Sequence, residues 1–88
     1  FEVLGGLLES FSMASYKYVF DRGSLSSKEL SAFRLLPESL RITISEQQST
    51  YNLLRQIIDF VSGLTDRHAV GMFRKLKGIS LPGAGWTG

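Results

Sequence analysis

Apolar residues recur at three- and four-residue spacing along most of this chain, and that period constrains the fold more than any other feature. In one segment, Glu2 to Phe20, the series is Val3, Leu4, Leu7, Leu8, Phe11, Ala14, Tyr18 and Val19. Glu2, Glu9, Ser12, Ser15 and Lys17 fill much of the opposite side. In another, the series is Tyr51, Leu54, Ile57, Ile58, Val61, Leu64, Ala69, Met72, Phe73 and Leu76. Each series describes one apolar stripe on a helix. The expected fold is therefore all-α: a small bundle of about three helices in one unit spanning residues 1–88, the longest helix at the C-terminal end.

Local signals set the boundaries. Gly5 and Gly6 weaken the first turns of the first helix by about 1 kcal/mol each relative to alanine, which predicts fraying. Asp21-Arg22-Gly23-Ser24 ends it, with Gly23 expected in a left-handed cap. Ser26 and Glu29 form a capping box for a second helix, and Leu25 and Leu30 occupy the staple positions around it. Pro37 stops that helix at Leu36, with Leu30, Phe33 and Leu36 facing inward. Leu40, Ile42 and Ile44 alternate with Arg41 and Thr43 and are expected to form an extended linker laid on the helices. Ser45 and Gln48 make a second capping box. The third helix should then run unbroken through Gly63 to a stop at Gly78, with Arg74, Lys75 and Lys77 favouring its negative end. The alternative is a kink at Gly63 with Thr65 recapping the chain. Residues 79–88, with Pro82 and Trp86, read as a flexible tail.

Composition excludes several classes. Eighty-eight residues make one domain, and 43% hydrophobic content suits a folded protein. No apolar run approaches the ~20 residues of a membrane helix, so no membrane partner is expected. With no cysteine there are no disulfides, thiolate metal sites or cysteine nucleophiles. The net charge of +2 does not by itself imply nucleic acid. The start at Phe1, within an apolar pattern, suggests a piece of a longer protein rather than a secretory leader.

The chemistry is sparse. His68 is the single histidine, and Asp21, Asp59 and Asp66 are the aspartates. Zinc and iron sites need more His or Cys than this, so no metal site is expected within the chain. No G-x-S-x-G elbow, phosphate loop or dinucleotide fingerprint is present, so no catalytic residue is expected either. Two surface features stand out. Arg55, Asp59, Ser62 and Asp66 would share one helical face at i, i+4, i+7 and i+11, beside Gly63. That pattern suits a wet face, or a stripe that meets a partner domain or substrate. Arg67, Arg74, Lys75 and Lys77 form a basic cluster. It suits dipole compensation and solvation, or contact with phosphate groups, including those of nucleic acid.

The run Asp59-Phe60-Val61-Ser62-Gly63-Leu64-Thr65-Asp66-Arg67-His68-Ala69 resembles a motif of the deoxyguanosine triphosphate triphosphohydrolases, the dGTPase branch of the HD superfamily. The family form is Asp-Tyr-Ile-x-Gly-Met-Thr-Asp-x-Tyr-Ala. Asp59, Gly63, Thr65, Asp66 and Ala69 match it. Phe60 and Leu64 are close replacements, and His68 stands at a usually aromatic position. Leu35-Leu36-Pro37-Glu38 and Arg74-Lys75-Leu76 extend the resemblance over roughly residues 30 to 81. It implies a helical fragment from the C-terminal end of a larger cytoplasmic enzyme. That enzyme would bind a divalent metal (Mg or Mn) in a separate N-terminal HD domain and release triphosphate from a deoxynucleoside triphosphate. It would commonly be a homo-oligomer. Within it, Asp59, Gly63, Thr65 and Asp66 would make a substrate or interdomain contact. A stand-alone helical interaction module is the alternative, binding a partner helix through residues 1–11 and Trp86.

Overall fold

The computed structural model describes residues 2–46 and 49–80; for Glu2 and Ser80 only the backbone is described. Five α-helices and no strand occur among them, so the fold is all-α: α1 (Glu2–Phe20), α2 (Ser27–Phe33), α3 (Glu38–Ser45), α4 (Thr50–Ser62) and α5 (Asp66–Ser80). The apolar period dictates this class. None of the described helices is long and apolar enough to cross a membrane.

α1 is the spine. Its Leu7, Phe11 and Ala14 have no exposed surface, and α2, α4 and α5 all pack on it. Phe11 meets Phe60 of α4 edge to face, with ring centroids 6.3 Å apart. Tyr18 stacks on Phe33 of α2 at 4.2 Å. The Arg22 guanidinium lies 3.9 Å from the Tyr18 ring centroid, and its Nε donates to the Tyr18 carbonyl at 2.7 Å. A cation thus satisfies a carbonyl at the negative end of α1. This is how the helix ends. Gly23 sits in a 3₁₀ turn over Arg22–Ser24, and no described glycine has positive φ, so the left-handed cap expected there does not form.

Gly6 is explained by packing. A Cβ added to it would fall 2.6 Å from the ring of Phe73 on α5. The helix-propensity cost at this position therefore allows α5 to approach α1 closely. Gly6→Leu is expected to destabilise the chain by about 1–2 kcal/mol, overpacking outweighing the gain in helix propensity. Gly5→Ala, where nothing lies within 4 Å of an added Cβ, should stabilise it by up to about 1 kcal/mol. Urea midpoints of the two variants moving in opposite directions would confirm the contrast.

The Ser26–Glu29 capping box forms as the sequence requires. Glu29 N donates to Ser26 Oγ at 3.1 Å, and Ser26 N donates to Glu29 Oε1 at 3.0 Å. The other carboxylate oxygen accepts from Lys17 Nζ at 2.8 Å, which ties α2 to α1. The Lys17 hydrogen bond, then the Ser26 backbone N–H, hold the Glu29 carboxyl below its ordinary value. Its charged form is favoured in the folded state. The stability it contributes is therefore present above the unfolded-state value and lost as pH falls through the folded one. Glu29→Gln should flatten the acid limb of a pH–melting-temperature curve.

Three expectations need correction. Residues 40–44 are helical, not extended: α3 starts after Pro37, and Arg41 N donates to Pro37 O at 2.9 Å. Five alternating residues also fit one helical turn. Leu40 and Ile44 then share a side, with Ile44 fully buried, while Ile42 stays 52% exposed. Burial of Ile44 overrides the β-branched preference. Ser45 is not a cap; it closes α3, its hydroxyl donating to Ile42 O at 2.8 Å. Gln48 lies outside the described residues. The cap of α4 is Ser49, whose side chain accepts from Asn52 N at 3.3 Å. Finally, the long helix is two helices, broken at Gly63. α5 then passes Gly78 and reaches Ser80; the rest of the expected tail, residues 81–88, lies outside the described residues.

Candidate functional site

The broken helix defines the candidate site. Gly63 ends α4 in a right-handed conformation (φ −88°, ψ −1°), its N–H shared between the carbonyls of Asp59 and Phe60 at 3.2 Å each. Leu64 N bonds to Val61 O at 3.1 Å, and the Leu64 side chain packs half-buried against the core. Thr65 then opens α5. Its Oγ1 accepts from His68 N at 3.2 Å, and its carbonyl accepts from Ala69 N at 2.8 Å. Asp66 follows in the first turn of α5, where a negative charge favours the helix dipole. Ala69 is buried and seats the new helix on the core.

Most of the motif therefore has a local physical reason. Thr65 caps, Leu64 plugs, Asp66 complements the dipole and Ala69 packs. Thr65→Ala should cost about 1 kcal/mol and Thr65→Ser much less, read as shifts in denaturation midpoint at constant slope. Gly63 is different. Its φ is negative, and an added Cβ would meet Asp59 O at 3.5 Å, an ordinary contact. Among the described residues nothing demands glycine at this exposed corner.

Asp59, Gly63, Thr65 and Asp66 are all exposed and close together along the corner. The four-residue stripe does not survive intact. Arg55, Asp59 and Ser62 stay on α4, while Asp66 belongs to α5. Arg55 Nη1 donates to the Tyr51 hydroxyl at 3.3 Å rather than pairing with Asp59. Both line a shallow polar cleft of about 330 Å³ with Tyr51, Asn52 and Gln56. The Tyr51–Arg55 bond went unread in the sequence, although their i, i+4 spacing could have signalled it.

The basic residues do not converge. Arg67 and Arg74, seven apart, share one outward side of α5. Lys75 and Lys77 fall on opposite flanks of that helix. Lys77 Nζ lies 5.2 Å from the Phe73 ring centroid. Among the described residues no group of three His, Cys, Asp or Glu side chains could hold a metal ion. His68 is exposed and its backbone N–H is engaged by Thr65. Among the described residues the arrangement is one of exposed polar and charged side chains around the corner.

Residues 24–75, more than half of the chain, match the model of the phosphohydrolase-associated domain. The chain belongs to the phosphohydrolase-associated domain family. It is also similar to a deoxyguanosinetriphosphate triphosphohydrolase-like protein of Synechocystis sp. (strain ATCC 27184 / PCC 6803 / Kazusa), 32% identical over 81 residues. That alignment takes in 92% of this chain and 17% of the relative, so the chain spans about a sixth of the relative's length. No solved structure matches. The family match covers α2 to α4 and most of α5, together with the Gly63–Thr65 corner. It leaves out α1, which nonetheless supplies Leu7, Phe11 and Ala14 to the core of this phosphohydrolase-associated domain.

Proposed function

We propose that this chain is the helical associated region of a deoxynucleoside triphosphate triphosphohydrolase, and that it serves as scaffold for a separate catalytic HD domain in the same cytoplasmic polypeptide. The family match over residues 24–75 carries the reading. The name of the Synechocystis relative supports dGTP as the substrate to test first. In that reaction water adds to the α-phosphorus, the bond to the 5′ oxygen breaks, and deoxyguanosine and triphosphate leave. Among the described residues no group fits a metal-ligand set. Mg or Mn would belong to the HD domain.

Gly63 supports a contact role for the corner. A glycine that its own fold does not require leaves a flat, exposed turn that a neighbouring domain can approach closely. Asp59, Thr65 and Asp66 around it supply acceptors for that contact. The longer reading frame containing this chain should release triphosphate from dGTP with Mn²⁺ or Mg²⁺, and the 88-residue chain alone should release none. Triphosphate release by the isolated chain would sink the scaffold reading. A longer polypeptide inert toward every deoxynucleoside triphosphate would sink the enzyme reading.

A further inference from the structure

α1, α2 and the last turn of α5 form a groove of about 240 Å³. Its apolar lining is Met13 of α1, Ala32 of α2, and Leu76 and Ile79 of α5. Ala32 and Leu76 are buried and make the floor, while Met13 is 49% exposed and makes a wall. Glu9, one turn before Met13, also lines the groove and is exposed. The groove is thus an apolar slot with a hydrogen-bond acceptor at its edge. A cavity of about 150 Å³ holds a benzene ring, so this groove has room for an indole.

The chain carries a fitting group on a short tether. α5 runs to Ser80, one residue beyond Ile79, so the segment that follows leaves the helix at the groove's own wall. That segment is Leu81-Pro82-Gly83-Ala84-Gly85-Trp86-Thr87-Gly88, and Trp86 is the single tryptophan of the sequence. Proline cannot extend the hydrogen bonding of α5, and Pro-Gly suits the two central positions of a type II turn. The six residues from Ser80 to Trp86 reach at most about 20 Å. The way back along α5 from Ser80 to Leu76 is about 6 Å. The tether is therefore long enough to reverse and short enough to hold the ring at a local concentration in the millimolar range. We propose that residues 81–88 fold back over this groove, with the Trp86 indole among Met13, Ala32, Leu76 and Ile79 and its N–H donating to the Glu9 carboxylate. A buried indole needs an apolar bed and an acceptor for its N–H, and the groove offers both. The contact lies within one chain and is independent of any phosphohydrolase activity.

With one tryptophan in the sequence, selectively excited fluorescence of the 88-residue chain reports Trp86 alone. Its emission should lie to the blue of the same chain unfolded in urea. Acrylamide should quench it about threefold less well than in the unfolded chain, since a seated group buries about 70–90% of its surface. Met13→Asp puts a charge on one wall, and Ile79→Ser removes apolar surface from the other. Each should move the emission to the red and raise quenching at least about twofold. Ile58→Asp, in the exposed stripe of Tyr51, Leu54 and Ile58 on α4, should change neither. Circular dichroism checks that the variants keep their helices, and Ile79 lies too near the end of α5 for its loss to unfold the bundle. The protection should be equal at about 1 and 100 μM, as a tethered contact requires. Emission and quenching equal to those of the unfolded chain overturn the proposal. So does protection that survives both groove variants, which puts the ring elsewhere, or protection that appears only at the higher concentration, which makes a second copy its source.

Discussion

Replacing Phe11 by alanine is expected to cost about 3–5 kcal/mol of unfolding free energy. Phe11 has no exposed surface and lies midway along the helix on which three others pack. Its ring edge meets Phe60, so truncation also removes an aromatic pair that contributes beyond its buried area. Collapse around the cavity is restricted, because Leu7 and Ala14 on the same side are fully buried as well. A domain of this size has a total stability of about 4–13 kcal/mol, so the loss consumes a large share of it. Urea denaturation followed by circular dichroism should show a much lower midpoint, and the chain could be partly unfolded without denaturant. Phe20→Ala is the control: Phe20 closes the same helix but is 40% exposed, and should cost less than about 1 kcal/mol. Similar shifts for the two would mean that α1 is not the spine. The longer polypeptide gives the functional readout. If the chain is scaffold, Phe11→Ala should lower triphosphate release by reducing the folded fraction, and activity per folded molecule should hold.

The sequence made the fold class and the start of α2 legible because each rests on a local rule. The period of Leu7, Phe11, Ala14 and Tyr18 has one reading, and the reciprocal bonds of Ser26 and Glu29 need only four residues. The helix break was harder to read. Gly63 and Thr65 are compatible with a continuous helix at a cost of about 1 kcal/mol, and also with a corner. What decides is whether Leu64 and Ala69 reach the core, a tertiary matter. Residues 40–44 failed for the same reason: Ile44 is drawn into the core that α1 and α4 create, and nothing in the five residues themselves records that. The candidate site was readable as a motif but not as a mechanism. Asp59 to Ala69 gave the family. That Thr65 is a cap, while Gly63 has no cause among the described residues, emerges only from the φ angles and contacts.

Leu53→Ala and Leu54→Ala should separate by about 2 kcal/mol or more, although the residues are adjacent and alike. The apolar series alone pointed to Leu54 as the core residue, since Tyr51, Leu54, Ile57 and Val61 keep a three- and four-residue spacing. The equally regular set Leu53, Ile57 and Val61 is the one that is buried, with Leu53 having no exposed surface. Helix phase decides between the two sets. A 100° step separates neighbours, so Leu53 points between α4 and the rest of the bundle while Leu54 stands at 36% exposure. Truncating Leu53 removes a buried isobutyl group and leaves a cavity, at a cost of about 2–5 kcal/mol. Truncating Leu54 removes surface that is partly hydrated already, and should cost about 0.5–1 kcal/mol. Both are read as shifts in the urea midpoint at constant slope. Equal losses of stability would mean that α4 is rotated from the orientation described, and the exposed stripe of Tyr51, Leu54 and Ile58 would go with it.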